Sequence, residues 1–170
     1  RQMKNIVLIG MPGCGKTTLG AQLAQAVHRE FYDTDQYVER QEQTSIATLF
    51  AQGEARFRQA ETQALGNLAT YENLVLATGG GVVTRPQNME ILRRGGSYII
   101  FIERPLATLC AEVELSTRPL LAIGGSAKLA CLYKERLPLY QQFSDARLEN
   151  NAPLDEVLAR LIALVKEADL

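Results

Sequence analysis

The 170-residue sequence has no tryptophan, a single histidine and only three cysteines. His28, placed by the pattern at the end of the first helix, is expected on the surface. It leaves little basis for imidazole acid–base chemistry or a histidine-rich metal centre. Cys14, Cys110 and Cys131 show neither metal-ligand spacing nor a C-x-x-C pair. An odd count without such a pair fits a reducing compartment, so a cytoplasmic location is expected. No apolar run reaches the roughly 18 residues of a membrane span, and no secretory leader is read. Neither sign of charge dominates: 18 Lys and Arg stand against 19 Asp and Glu, a net charge of -1. Nothing here supplies the field that would hold nucleic acid or an anionic membrane. What is present is ordinary for a globular chain, 46% hydrophobic and 22% charged residues, with length for one domain over residues 1–170. A monomer working on small molecules fits that size and charge.

Gly10-Met11-Pro12-Gly13-Cys14-Gly15-Lys16-Thr17 satisfies the phosphate-loop pattern G-x-x-x-x-G-K-[ST] in full. Asn5 to Ile9 before it reads as a buried strand. Thr18 to Val27 after it reads as a helix with Leu19, Leu23, Ala26 and Val27 on one stripe. Glycines let the backbone turn its N–H groups inward, and the helix start adds partial positive charge. Gly13, Cys14, Gly15, Lys16, Thr17 and Thr18 are therefore the candidate nucleotide-binding residues. Lys16 is expected to reach the β- and γ-phosphates, and the Thr17 hydroxyl to hold Mg²⁺. Cys14 reads as a small residue in a loop that works through its backbone.

Downstream, strand and helix alternate. Strands are expected at 31–33, 74–77, 97–102 and 146–149, and helices at 45–52, 54–70, 86–94, 105–115, 126–143 and 154–167. Pro138 is expected to kink or end the helix that contains it. Apolar strands separated by helices argue for a parallel sheet covered on both faces, with ligands at the carboxyl ends of its strands.

A phosphate loop says only that a nucleotide binds, so the second substrate must be read elsewhere. Asp33 and Asp35 follow the second strand. In an extended segment, residues two apart point to one side, giving one carboxylate for Mg²⁺ and one for an incoming hydroxyl. A polar turn with aspartate capping the next helix is the alternative. Arg58 and Glu61, three apart on a helix, can pair and aim the guanidinium at a planar carboxylate; a solvated arginine on a charged helix is the other reading. Thr78-Gly79-Gly80-Gly81 ends a buried strand and can bring backbone close to a ligand. Thr117-Arg118-Pro119-Leu120-Leu121, beside Gly124-Gly125, suits a lid that delivers an arginine to the transferring phosphate. Arg136, one helical turn before Tyr140, is either a second carboxylate clamp or a surface residue.

Taken together these segments resemble the shikimate kinase family, in order and spacing, over about residues 4–166. The resemblance implies ATP-dependent phosphorylation of the 3-hydroxyl of shikimate, a step of aromatic amino-acid biosynthesis. It implies a nucleoside-monophosphate-kinase-like P-loop α/β fold: a five-stranded parallel sheet in order 2-3-1-4-5, with a lid near 112–126 and a shikimate-binding region near 33–61. By that likeness Asp35 is the candidate base, and Asp33 with Thr17 serves Mg²⁺. Arg58 and Arg136 grip the shikimate carboxylate, with Gly80 and Gly81 supplying backbone contacts. Arg118 reaches the ATP phosphates, and Asn151 lies in the adenine loop. The chain departs from the family in having Leu109-Cys110-Ala111 where a further arginine is common, and an acidic Glu112-Val113-Glu114-Leu115 before the lid. A third departure is Asn151, where an arginine is sometimes found, and all three bear on ATP affinity and lid behaviour. A gluconate-kinase-like enzyme and a catalytically silent nucleotide-binding domain are the rival readings.

Overall fold

The computed structural model describes residues 4–113 and 125–170; Arg118 and most of the expected lid lie outside the described residues. In chain order the elements are β1 (Ile6–Ile9), α1 (Lys16–Ala26), β2 (Glu30–Asp33), α2 (Thr34–Glu42), α3 (Ile46–Ala51), α4 (Glu54–Leu68) and β3 (Leu74–Ala77). A short 3-10 turn (Val82–Thr84) precedes α5 (Pro86–Arg94), β4 (Tyr98–Glu103) and α6 (Leu106–Val113). Then come α7 (Gly125–Phe143), β5 (Ala146–Glu149) and α8 (Leu154–Glu167).

The strands form one parallel sheet in the order β2-β3-β1-β4-β5, as expected. Central β1 sets Val7 opposite both Leu76 of β3 and Ile99 of β4. Every residue of β1 and β3 is buried, because the runs IVLI and LVLA have helices over both faces and no side needs to be polar. Asn5 closes the amino end of the sheet: its side chain donates to the Tyr71 carbonyl at 2.8 Å and accepts from the Leu74 amide at 2.9 Å. A second, smaller core of Val38, Leu49, Phe57, Ala60 and Ala64 joins α2, α3 and α4 beside the carboxyl edge. That satellite gives the 33–61 region a rigid base of its own. No helix among the described residues is long and apolar enough to cross a membrane.

Two sequence expectations change. Residues 34–42 form a helix that periodicity did not reveal, since Tyr37 and Val38 are its only large apolar residues. Asp33 and Asp35 are consequently not both in extended chain: Asp33 ends β2 and caps α2, and Asp35 lies in the first turn of that helix. The long helix α7 reaches Phe143, as expected, with Pro138 inside it rather than at its end.

Candidate active site

All five strands point their carboxyl ends at one edge, where the segments leaving β1, β2, β3 and β4, together with α7, wall a cavity of about 810 Å³. The phosphate loop enters between β1 and α1. Gly15, the N-cap of α1, has φ 100°, a backbone conformation that a side chain would strain. Two side chains fix this loop from outside: the Asn150 amide donates to the Cys14 carbonyl at 2.8 Å, and Arg104 donates to the Gly13 carbonyl at 3.1 Å. Cys14 is fully buried, and its own amide donates to Met11 O at 3.1 Å. Lys16 folds back over the loop, its ammonium donating to Gly10 O at 2.6 Å and Met11 O at 3.0 Å. Thr17 Oγ1 donates to Asp33 Oδ2 at 2.7 Å, bringing together the two residues expected at the metal.

Asp33 caps the next helix, the alternative the sequence left open, and at the same time meets Thr17. Oδ1 accepts from the Asp35 and Gln36 amides at 2.9 and 3.2 Å, capping α2, while Oδ2 faces Thr17. The pair Thr17 Oγ1 and Asp33 Oδ2 is a hard-oxygen donor set of the kind Mg²⁺ takes, with its remaining positions left to water and phosphate. Among the described residues no group of three or more Asp, Glu, His or Cys could hold a metal ion.

Next to it Asp35 is mostly enclosed. Burial first, then the negative charges of Asp33 and Glu61, push its carboxyl up to about 6 against the pull of Lys16 and Arg58. Its Oδ1 is buried with no hydrogen-bond partner, and so is Glu61 Oε2. A Cβ on Gly79 would lie 3.1 Å from the first and 2.9 Å from the second, so both unpaired oxygens face the same glycine. Burial also raises the Glu61 carboxyl, outweighing Arg58, Arg136 and Arg85.

The buried Arg58 is held on three sides. Nη1 donates to Glu61 Oε1 at 2.9 Å and Nε to Glu54 Oε2 at 3.4 Å, and the guanidinium lies 5.1 Å from the Phe57 ring centroid and 5.9 Å from that of Phe50. Those rings stack on each other at 4.5 Å. The solvated-arginine alternative is therefore wrong for Arg58. A Cβ on Gly81 would lie 2.5 Å from Cζ of that guanidinium, so any side chain there requires Arg58 to shift. Arg136 is likewise buried at the cavity wall, which removes the surface-residue alternative. One turn on, Tyr140 is fully buried, stacks on Phe101 at 5.1 Å and donates its hydroxyl to the Gly80 carbonyl at 2.6 Å. The glycine run is thus anchored by α7.

Lys16, Thr17, Thr18, Asp33, Asp35, Arg58, Gly80, Gly81 and Arg136 all line this one cavity, as do Gly13 and Gly15. Asn151 does not: it is exposed, its amide donating to Glu149 at 3.2 Å, and its neighbour Asn150 is the residue that touches the phosphate loop. Sequence reasoning named Tyr140 without giving it a role, and gave none to Arg104, Phe50 or Thr34, whose hydroxyl accepts from the Gly79 amide at 3.1 Å. Only Tyr140 had a readable signal, its i,i+4 spacing from Arg136.

Comparison with known proteins agrees with this geometry. A family model described as shikimate kinase matches residues 12–166. A shikimate kinase of Clostridium botulinum is 39% identical over 164 residues, covering 96% of this chain and 98% of that protein. One from Clostridium beijerinckii is 40% identical over 169 residues, covering 99% and 96%. Among solved structures, the shikimate kinase from Acinetobacter baumannii in complex with shikimate superposes with a TM-score of 0.91 at 34% identity, covering 99% of this chain and 96% of that one. A gluconokinase from Sinorhizobium meliloti reaches 0.58 at 16% identity over 100% of this chain and 99% of its own, a likeness of fold alone. The family model over residues 12–166 and relatives 39–40% identical over nearly the full length place this chain in the shikimate kinase family.

Proposed function

We propose that the chain transfers the γ-phosphoryl group of ATP to the 3-hydroxyl of shikimate, giving shikimate 3-phosphate and ADP in aromatic amino-acid biosynthesis. The observation behind this reading is the meeting of Asp35, Arg58 and Arg136 in the cavity that holds the phosphate loop. A ring acid gripped by two guanidiniums gains about 1.5–3 kcal/mol per charge-assisted hydrogen bond over a neutral sugar. Arg58 is rigid before substrate arrives, since Glu61 and the Phe57 ring hold it, so little ordering is left for binding. Asp35 accepts the proton as the hydroxyl oxygen forms its bond to γ-phosphorus and the bond to the bridging oxygen of ADP breaks. A carboxyl raised to about 6 is basic enough to help yet remains roughly ten-to-one ionised at pH 7. Mg²⁺ bound with ATP at Thr17 and Asp33 would neutralise charge on the β- and γ-phosphates. Lys16 leaves the loop carbonyls for the same phosphates, Arg118 supplies a further cation from the lid, and Asn151 borders the adenine. We place the enzyme in the cytoplasm as a monomer.

A coupled assay comparing shikimate with gluconate as acceptors tests this. Turnover of shikimate with no activity on gluconate is expected. Equal turnover of the two would overturn the choice of shikimate as the acceptor, and ATP binding without transfer to either would favour the silent domain.

A further inference from the structure

Arg104 opens the connection after β4, at the carboxyl edge, and has two partners. Nη1 donates to the Gly13 carbonyl at 3.1 Å, inside the phosphate loop. The same Nη1 and Nη2 also fork onto the carboxylate of Glu112, at 3.0 and 2.6 Å. Both side chains line the cavity that Lys16 and Thr17 line. Glu112 is an odd choice where it stands. It occupies the last turn of α6, where the helix dipole disfavours an acid. Its side chain is 49% exposed, so its ion pair with Arg104 is screened and weak. Helix stability therefore does not explain the residue, but proximity to Arg104 does.

We propose that Arg104 is a nucleotide-binding residue, a guanidinium that the polyphosphate of ATP or ADP engages in competition with Glu112. This inference rests on the reading that the loop at residues 10–17 holds a nucleotide. A planar fork already satisfied by two carboxylate oxygens meets two phosphate oxygens with the same geometry. Its anchor on Gly13 keeps it beside the loop whichever partner it takes. Glu112 then acts as a brake: it occupies the fork until a more highly charged anion arrives, and it sets nucleotide affinity lower than the arginine alone would give.

The two members of the pair must therefore have opposite effects. Titration of MgADP by calorimetry should show Arg104→Gln weakening binding about tenfold, one power of ten being ~1.4 kcal/mol. Glu112→Ala should tighten it, by about threefold, with the KM for shikimate within about twofold of the unmutated protein in both variants. Arg104→Lys, which keeps the charge but loses the fork, should fall between. A purely structural staple between α6 and the loop would instead shift both variants in the same direction. That result, or unchanged MgADP affinity in Arg104→Gln, overturns the proposal. If Arg104→Gln does not fold, Glu112→Ala still decides: weaker binding refutes the brake. MgADP binding with these shifts but no transfer to shikimate would sink the substrate reading while leaving Arg104 in place. No MgADP binding by the unmutated protein would sink both.

Discussion

Asp35→Asn should make this protein more stable as it makes it inactive. The carboxyl is lifted from its usual 3.8 to about 6 by burial and by two neighbouring acids. At 1.36 kcal/mol per tenfold change in acidity, holding it ionised costs the fold up to ~3 kcal/mol. The sign follows from the direction. A folded value above the unfolded one means full stability at pH below 3.8, declining as pH rises and lost by about 6. Asparagine keeps the shape and removes the charge, so its advantage over aspartate is absent near pH 4 and complete by pH 8. Some solvent reaches the group, so ~1.5–3 kcal/mol is expected. Urea unfolding at pH 8 and pH 4.5, read as a change in midpoint at constant slope, measures it. Turnover should fall about 100-fold or more, the usual contribution of a positioned base. In the unmutated enzyme, kcat/KM for shikimate should drop on the acid side with an apparent pKa near 6. Equal stability of the two proteins at pH 8, or a gain that does not change with pH, would refute the account of Asp35 as a strained charge.

Arg58→Ala should raise the KM for shikimate at least tenfold and that for ATP less than twofold, and comparable changes in both would remove Arg58 from the acid's seat. The same substitution strands the buried Glu61 carboxylate, so a loss of about 3 kcal/mol in urea unfolding is expected. Gly81→Ala should act through Arg58, whose guanidinium must move away from the new methyl; steady-state kinetics should show a higher KM for shikimate with nucleotide affinity intact. Tyr140→Phe deletes the donor to the Gly80 carbonyl and should cost about 1–3 kcal/mol, with a raised KM for shikimate separating this role from simple packing.

Much of the site was legible because its chemistry is written in local chain geometry. A phosphate loop needs glycines at fixed offsets, and Gly15 with φ 100° shows why. Arg58 and Glu61 could be paired on paper because three residues bring side chains together on any helix. The helix at 34–42 was missed because it has almost no apolar stripe; the cap from Asp33 to Gln36 starts it, and the satellite core holds it. Its presence turned two aspartates expected side by side on a strand into a cap and a first-turn residue.

The order of residues along the chain determined the strand–helix alternation, the glycine-rich loop between β1 and α1 and the pairing of Arg58 with Glu61, because each depends on near neighbours. Only the folded molecule decided which long-range partners meet: Tyr140 with Gly80, 60 positions apart, Arg104 with Gly13, 91 apart, and Asn150 with Cys14, 136 apart. Such contacts follow from strand order and register, which bring every carboxyl end to one edge, and from side-chain packing that no local spacing encodes.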